Sequence, residues 1–136
     1  MGVSHVRCVG GIVHDEAGRL LLIRRANDPG RGLWSVPGGR VEAGETDHAA
    51  VVRELAEETG LDVEPGALVG TVLRDPFVIH DYRCRVLGGR LQAGDDASDA
   101  RWIDTDTFTL LDRTGGLVGG LADTLRAWSA LPHDAD

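Results

Sequence analysis

The sequence predicts a mixed α/β (α+β) sandwich, a single domain over residues 1–136 in which a central mixed β-sheet carries helices on both faces. Three observations lead there. Apolar and β-branched runs alternate with helical stretches in the order β-β-β-α-β-β-β-α, a pattern that closes best as a layered sheet and helix fold. The hydrophobic period changes from two to 3.6 at Thr46 and again in the last quarter of the chain. A length of 136 residues with 42% hydrophobic content suits one packed core.

In chain order, "VRCVGGIV" (6–13) and "LLLIRR" (20–25) flank the polar, glycine-containing "HDEAGR" and read as a β-hairpin. "ANDPGRG" (26–32) is a loop by its Asn, Asp, Pro and Gly content, and "LWSV" a short strand. "PGGRVEAGE" (37–45) is too rich in glycine for either regular element. Thr46 then suits a helix N-cap, Asp47 favours the first turn, and Gly60 ends the helix. After "DVEPGA", the runs "LVGTVL" (68–73) and "FVIHDYRCRV" (77–86) read as strands divided by "RDP". "GGRLQAGDDASDA" is a hairpin or loop region, "RWI" (101–103) a strand, and "TDTFTLL" a short helix opened by Thr105. Leu117, Leu121, Leu125 and Trp128 share one face of a C-terminal amphipathic helix, after which "PHDAD" frays.

The formal net charge of −8 disfavours attraction to a phosphate backbone, so nucleic acid is not the expected partner. The two cysteines, Cys8 and Cys84, lie in apolar or alternating segments and fit reduced core thiols of a cytoplasmic protein. No run approaches ~18 apolar residues, which argues against a membrane span.

Residues 53–60, "RELAEETG", set three glutamates at the C-terminal end of the expected helix, where its partial negative charge disfavours each by roughly 0.3–1 kcal/mol. At about 100° per residue, Glu54, Glu57 and Glu58 fall on one face, while Leu55, Val52, Ala56 and Ala49 form the face that packs. On this reading the acids point away from the core, with Ala50 leaving space one turn back and Arg53 bracing Glu57 four residues on. A divalent cation would relieve both the repulsion and the unfavourable dipole position. Carboxylate oxygens in this number suit Mg²⁺ or Mn²⁺, and no His or Cys cluster at zinc spacing competes. The upstream glycines Gly38, Gly39 and Gly44 allow backbone to approach closely, and Glu45 adds a fourth carboxylate.

Positions 39–61, "GRVEAGETDHAAVVRELAEETGL", resemble the Nudix box throughout: Gly39, Glu45, Arg53, Glu54, Leu55, Glu57, Glu58, Gly60 and Leu61 stand at its spacings. The resemblance implies a Nudix-type α/β/α sandwich that hydrolyses a nucleoside diphosphate linked to another moiety, using bound Mg²⁺ or Mn²⁺. It implies Glu54, Glu57 and Glu58 as metal ligands with the Gly38 carbonyl, and Arg53 and Glu45 as residues that orient and brace. In this family the general base is either a box glutamate, here Glu57 or Glu54, or an acid of a later loop. "GDDASDARW" occupies that loop, with Asp96 the first choice and Asp95 the second; a polar turn is the alternative for these and Asp99. By resemblance to nucleotide-sanitising members Arg25, then Arg24, would contact phosphate, with Gly39 also on the substrate side; a surface arginine is the alternative, and Gly60 would be structural. Trp34 and Tyr82 suit either base stacking or the core, and His48 and His80 read as structural or solvent-facing.

The segment from Leu73 to Ile103, with Pro76 fifteen residues after Leu61, resembles the small ADP-ribose pyrophosphatase-like branch. That branch implies ADP-ribose or a related nucleotide sugar as substrate, with a homodimer as a further expectation. A MutT-like hydrolase of (d)NTPs, with "LLIRRA" on the second strand, is the alternative within the same chemistry. A nucleotide-sensing Nudix domain without hydrolysis is the alternative of another class.

Overall fold

The computed structural model describes residues 4–134. The ends of the expected domain, residues 1–3 and 135–136 with the last of the frayed "PHDAD", lie outside the described residues. Seven strands and three helices follow in order: β1 Val6–Val13, β2 Leu20–Arg25, β3 Trp34–Ser35, β4 Gly38–Arg40, α1 Asp47–Thr59, β5 Leu61–Arg74, β6 Phe77–Gly89, β7 Ala97–Ile103, α2 Thr105–Arg113 and α3 Leu121–Ala127. The expected α+β class with a mixed sheet is what forms. A four-stranded sheet runs β4-β1-β6-β5 and a three-stranded one β3-β2-β7. β1 is parallel to β6 and antiparallel to β4; the remaining pairs are antiparallel.

The expected β1/β2 hairpin does not form. The two strands touch through one isolated bridge, His14 to Leu20, and then enter different sheets. β1 is buried from Cys8 to Val13, the mark of a central strand with neighbours on both edges, and a run that is apolar at every position carries no period to name its partners. The two faces of β2 feed separate clusters. Leu20 and Leu22 join Ile12, Ile103, Phe108, Leu121 and Leu125, whereas Leu21 joins Val9, Val13, Val51, Leu55 and Val63. The second cluster seats α1 and the first seats α2 and α3.

Other boundaries shift for local reasons. The glycine-rich stretch contains strand β4, because Gly38 fits against β1 where a Cβ would not: one built there collides with the Val9 carbonyl. β5 absorbs "DVEPGA" by register shifts around Pro65 and Leu68, and β6 extends to Gly89. The α2 cap is Asp104 rather than Thr105, its carboxylate accepting from the Thr107 N–H at 2.8 Å. α3 has only seven residues, so Leu117 contributes to the core from the preceding loop.

Helix α1 keeps its expected ends. The Thr46 hydroxyl accepts from the Ala49 N–H at 3.1 Å, and Gly60 closes the helix at φ 75°, its N–H donating to the Ala56 carbonyl. Its packed face differs from the expected one: Ala50, Val51, Leu55, Glu58 and Thr59 are buried, while Ala49 and Ala56 are exposed. The helix is rotated so that Val51 and Leu55 lead into the core, and this turns Glu58 inward rather than away. No helix among the described residues is long and apolar enough to cross a membrane.

The β1/β4 contact positions everything that follows. Gly38→Ala is expected to lower stability by about 1–3 kcal/mol, since the methyl meets backbone rather than a movable side chain; a urea midpoint measured against wild type checks this.

Candidate active site

The end of α1 meets the β4 turn with its acids inward. Glu58 is only 4% exposed, and its Oε1 accepts the Gly38 N–H at 3.2 Å. Burial, followed by the adjacent Glu54 carboxyl, pushes the Glu58 carboxyl well above the ordinary glutamate range, and Asp96 adds to this. Glu54, with 14% of its side chain exposed, lies flat over Gly39: a Cβ there would sit 2.5 Å from Oε1. The glycine pair therefore lets two carboxyl groups press against backbone and against each other. The Glu54 neighbour is one cause of the raised Glu58 carboxyl, and a cation bound between the two would relieve it.

Arg53 gathers the remaining acids. Its Nε and Nη2 hold the two oxygens of Glu45 at 2.7 and 2.9 Å, and Nη1 donates to Glu54 at 2.9 Å and Glu57 at 3.2 Å. Nη2 also donates to the Arg40 carbonyl at 3.0 Å, which ties the helix to β4. The fork draws Glu45 down to about 2, helped by the Glu42 N–H that donates to its Oε1. These carboxylates raise the already high pKa of Arg53 further, so the guanidinium is a fixed charge. Glu57 is the open member of the set, with 42% of its side chain exposed.

Of the residues singled out from sequence, Gly38, Gly39, Glu45, Arg53, Glu54, Glu57 and Glu58 are thus brought together, and Gly60 ends the helix beneath them. Asp96 is near enough to act on Glu58 through its charge. Its Oδ1 accepts from the Asn27 amide at 3.0 Å, and its carbonyl accepts the Ala26 N–H. Asn27 was not singled out from sequence, where it is one polar loop residue among several. Asp95 holds a φ of 50°, and Asp99 pairs with Arg101 at 2.8 Å and with its own strand. The two arginines of β2 are not brought against the acids. Arg24 donates to the Gly32 carbonyl and Arg25 to the Pro29 carbonyl, across a register shift that separates them.

The aromatic candidates divide similarly. Tyr82 donates its hydroxyl to Asp47, which also pairs with Arg7, and Trp34 packs on the cluster containing Leu117. His48 meets the Gly66 carbonyl and His80 the Thr71 hydroxyl. Pro76 sits in the β5/β6 turn, its carbonyl accepting the Val6 N–H.

As the side chains stand, no group of three or more His, Cys, Asp or Glu among the described residues is drawn close enough to hold a metal. The donor set nevertheless fits a hard divalent cation. Glu54 and Glu58 are oxygen donors pressed together with one backbone N–H on Glu58, and Glu57 stands open beside them.

The NUDIX domain family matches residues 4–118. The chain is 41% identical over 109 residues to the ADP-ribose pyrophosphatase of Methanocaldococcus jannaschii, a match covering 76% of this chain and 64% of that one. It is 35% identical over 123 residues to a Mycobacterium tuberculosis protein called "Putative 8-oxo-dGTP diphosphatase 2", covering 79% and 87%. The chain thus spans just under two thirds of the first relative's length and most of the second's. Among solved structures, the MutT protein of Methanosarcina mazei superposes with a TM-score of 0.78 at 20% identity, over 95% of this chain and 96% of that one, a likeness of fold.

The Arg53–Glu45 fork has a signed pH dependence. Because the folded pKa of Glu45 lies below its ordinary 4.5, the fork contributes stability above that value and loses it as pH falls toward 2. Glu58, raised rather than lowered, has the opposite sign and is present in wild type and Glu45→Gln alike. Urea midpoints at pH 5 and pH 3 should therefore fall further for wild type than for Glu45→Gln.

Proposed function

The chain belongs to the Nudix family, and on that premise we propose that it hydrolyses the diphosphate bond of a small nucleotide in which a nucleoside diphosphate is linked to another moiety. The observation that carries the reading is the buried Glu58 carboxyl, pressed against Glu54 under a glycine turn. A fold has little use for two such groups at a helix C-terminus unless a cation is to join them. We take the described residues, with the termini, to form one catalytic domain.

Glu54, Glu57 and Glu58, with the Gly38 carbonyl, are the proposed ligands of Mg²⁺ or Mn²⁺. Such an ion, when bound, supplies charge to offset the pyrophosphate oxygens and lowers the pKa of water. The chain's own residues do the remainder. Arg53 keeps Glu54 and Glu57 in place while Glu45 and the Arg40 carbonyl hold Arg53. Asp96, fixed at Oδ1 by Asn27, has Oδ2 to accept a proton from the attacking water; Glu57, the exposed box acid, is the other candidate for that role. Arg25 and Arg24 would reach phosphate by leaving their loop carbonyls, and Gly39 would admit it to the turn.

ADP-ribose or a related nucleotide sugar is the proposed substrate, supported by the 41% identity to an ADP-ribose pyrophosphatase. The second reading is a MutT-like (d)NTP pyrophosphohydrolase, favoured by the 35% identity to a relative called an 8-oxo-dGTP diphosphatase, of which the chain covers 87%. Either would be a cytoplasmic enzyme needing no nucleic acid or membrane; a homodimer follows from the first reading only.

The test is turnover with Mg²⁺ of ADP-ribose and a set of NTPs and dNTPs, products separated by chromatography. AMP from ADP-ribose as the fastest reaction is expected, and pyrophosphate from a triphosphate would favour the second reading. Asp96→Asn should lower kcat by about 10²–10⁴-fold if that acid takes the proton, and leave it within a few fold of wild type if Glu57 does. No metal-dependent turnover on any compound would favour a non-hydrolytic sensor.

A further inference from the structure

Asp96 is an exposed side chain, yet the turn that carries it is held from two sides. On the α1 side, the Glu58 carbonyl accepts the Gly94 N–H at 3.1 Å and the Thr59 carbonyl accepts the Gln92 N–H at 2.8 Å. Both carbonyls belong to the last turn of the helix, where backbone acceptors have no partner within the helix itself. The approach is close: a Cβ on Gly94 would stand 2.5 Å from the Glu57 carbonyl oxygen. On the other side, Ala26, the residue after β2, donates its N–H to the Asp96 carbonyl at 2.9 Å. The backbone of this turn is therefore fixed to the helix that carries Glu54, Glu57 and Glu58 with no help from the Asp96 side chain.

The carboxylate needs a separate hold. An exposed aspartate turns among its staggered rotamers, whereas a group that takes a proton from a positioned water must be within hydrogen-bond reach of it. Among the described residues the Asn27 amide is the one partner of the Asp96 carboxylate, donating to Oδ1 at 3.0 Å. Asn27 itself has a firm footing. It follows directly on the neck of its loop, which is closed by the Arg25 N–H on the Leu33 carbonyl at 2.9 Å and the Gly32 N–H on the Arg25 carbonyl at 2.8 Å. The two side chains stand 69 residues apart in sequence and meet because β2 pairs with β7.

This bond contributes little to holding the fold together. Asn27 and Asp96 are both exposed, so water competes for each of their polar groups. Its effect is on orientation, and it leaves Oδ2 open.

Resting on the reading in which Asp96 takes the proton of the attacking water, we infer that Asn27 is a positioning residue of the reaction, its amide selecting the Asp96 rotamer that leaves Oδ2 for that water. Arg24 and Arg25 stand at the root of the same loop. One segment thus sets both the arginines proposed for phosphate and the acid proposed for water.

The test is steady-state turnover with Mg²⁺ of whichever nucleotide wild type hydrolyses fastest, by wild type, Asn27→Ala, Asn27→Asp, Asp96→Asn and the double variant Asn27→Ala/Asp96→Asn. Asn27→Ala is expected to lower kcat by roughly 10- to 100-fold, with KM within about 2-fold and the thermal transition unchanged. Asn27→Asp keeps the shape and loses the donor, so its kcat should fall at least as far; a space-filling role would survive that exchange. In the Asp96→Asn background, Asn27→Ala should change kcat by less than about 2-fold. Amide hydrogen exchange adds a readout independent of turnover: the Gln92 and Gly94 N–H groups of Asn27→Ala should stay as protected as in wild type, since their bonds are made to α1. Wild-type kcat in Asn27→Ala or Asn27→Asp, an equal fall in the Asp96→Asn background, or lost protection at Gln92 and Gly94 would overturn the inference. A kcat of Asp96→Asn within a few fold of wild type would overturn it too, while leaving the hydrolase reading standing with Glu57 as the base. No turnover by wild type of any nucleotide would sink both.

Discussion

Three carboxyl groups at the negative end of a thirteen-residue helix are the constraint on which this molecule turns. The helix has no basic residue in its last turn to offset them. Arg53 holds two of them, spreading its donors over Glu45, Glu54, Glu57 and the Arg40 carbonyl, while Glu58 takes the Gly38 N–H. Because that last bond reaches β4, the electrostatics of the helix and the position of the glycine turn are one problem. An arginine suits it better than a lysine would, since five fixed donors can serve several acceptors at once.

The sheet is built to let backbone approach those acids. β1 is the hinge of the arrangement: its α1 face carries Val9 and Val13 against Leu55, while its other face carries Gly10 and Ile12. Gly38 needs the space above Gly10, and Glu58 needs the Gly38 N–H. Through this chain a tightly packed strand, with no ionisable group of its own at that point, sets the surroundings of a buried carboxyl.

How much of this was legible in the sequence depended on range. The ends of α1 were, because Thr46 and Gly60 act within one turn of themselves. The meeting of Glu45 and Arg53 was too, because the resemblance sets them eight residues apart, two turns of helix and its cap, and their side chains join. Strand pairing was not: β1 and β2 are adjacent in chain yet part into separate sheets, and nothing local to "VRCVGGIV" says that its partners are β4 and β6. The inward turn of Glu58 was missed because the helical wheel was centred on Leu55, Val52 and the alanines, leaving out Val51, whose burial sets the rotation. The burial of Asp81 left no signal, since one acid in "FVIHDYRCRV" reads as a solvent-facing alternation until the register sets it over Gly10.

On the proposed reading, the acids are placed for a cation at the expense of the helix. The most direct measurement is the melting temperature of wild type and Glu58→Gln, with and without Mn²⁺. Without metal, Glu58→Gln should melt higher than wild type, because a buried carboxyl is removed while an oxygen for the Gly38 N–H is kept. With metal at a hundred times its Kd, wild type should gain about 2.7 kcal/mol by linkage and the variant much less. Equal gains in the two proteins, or none in wild type, would contradict the account.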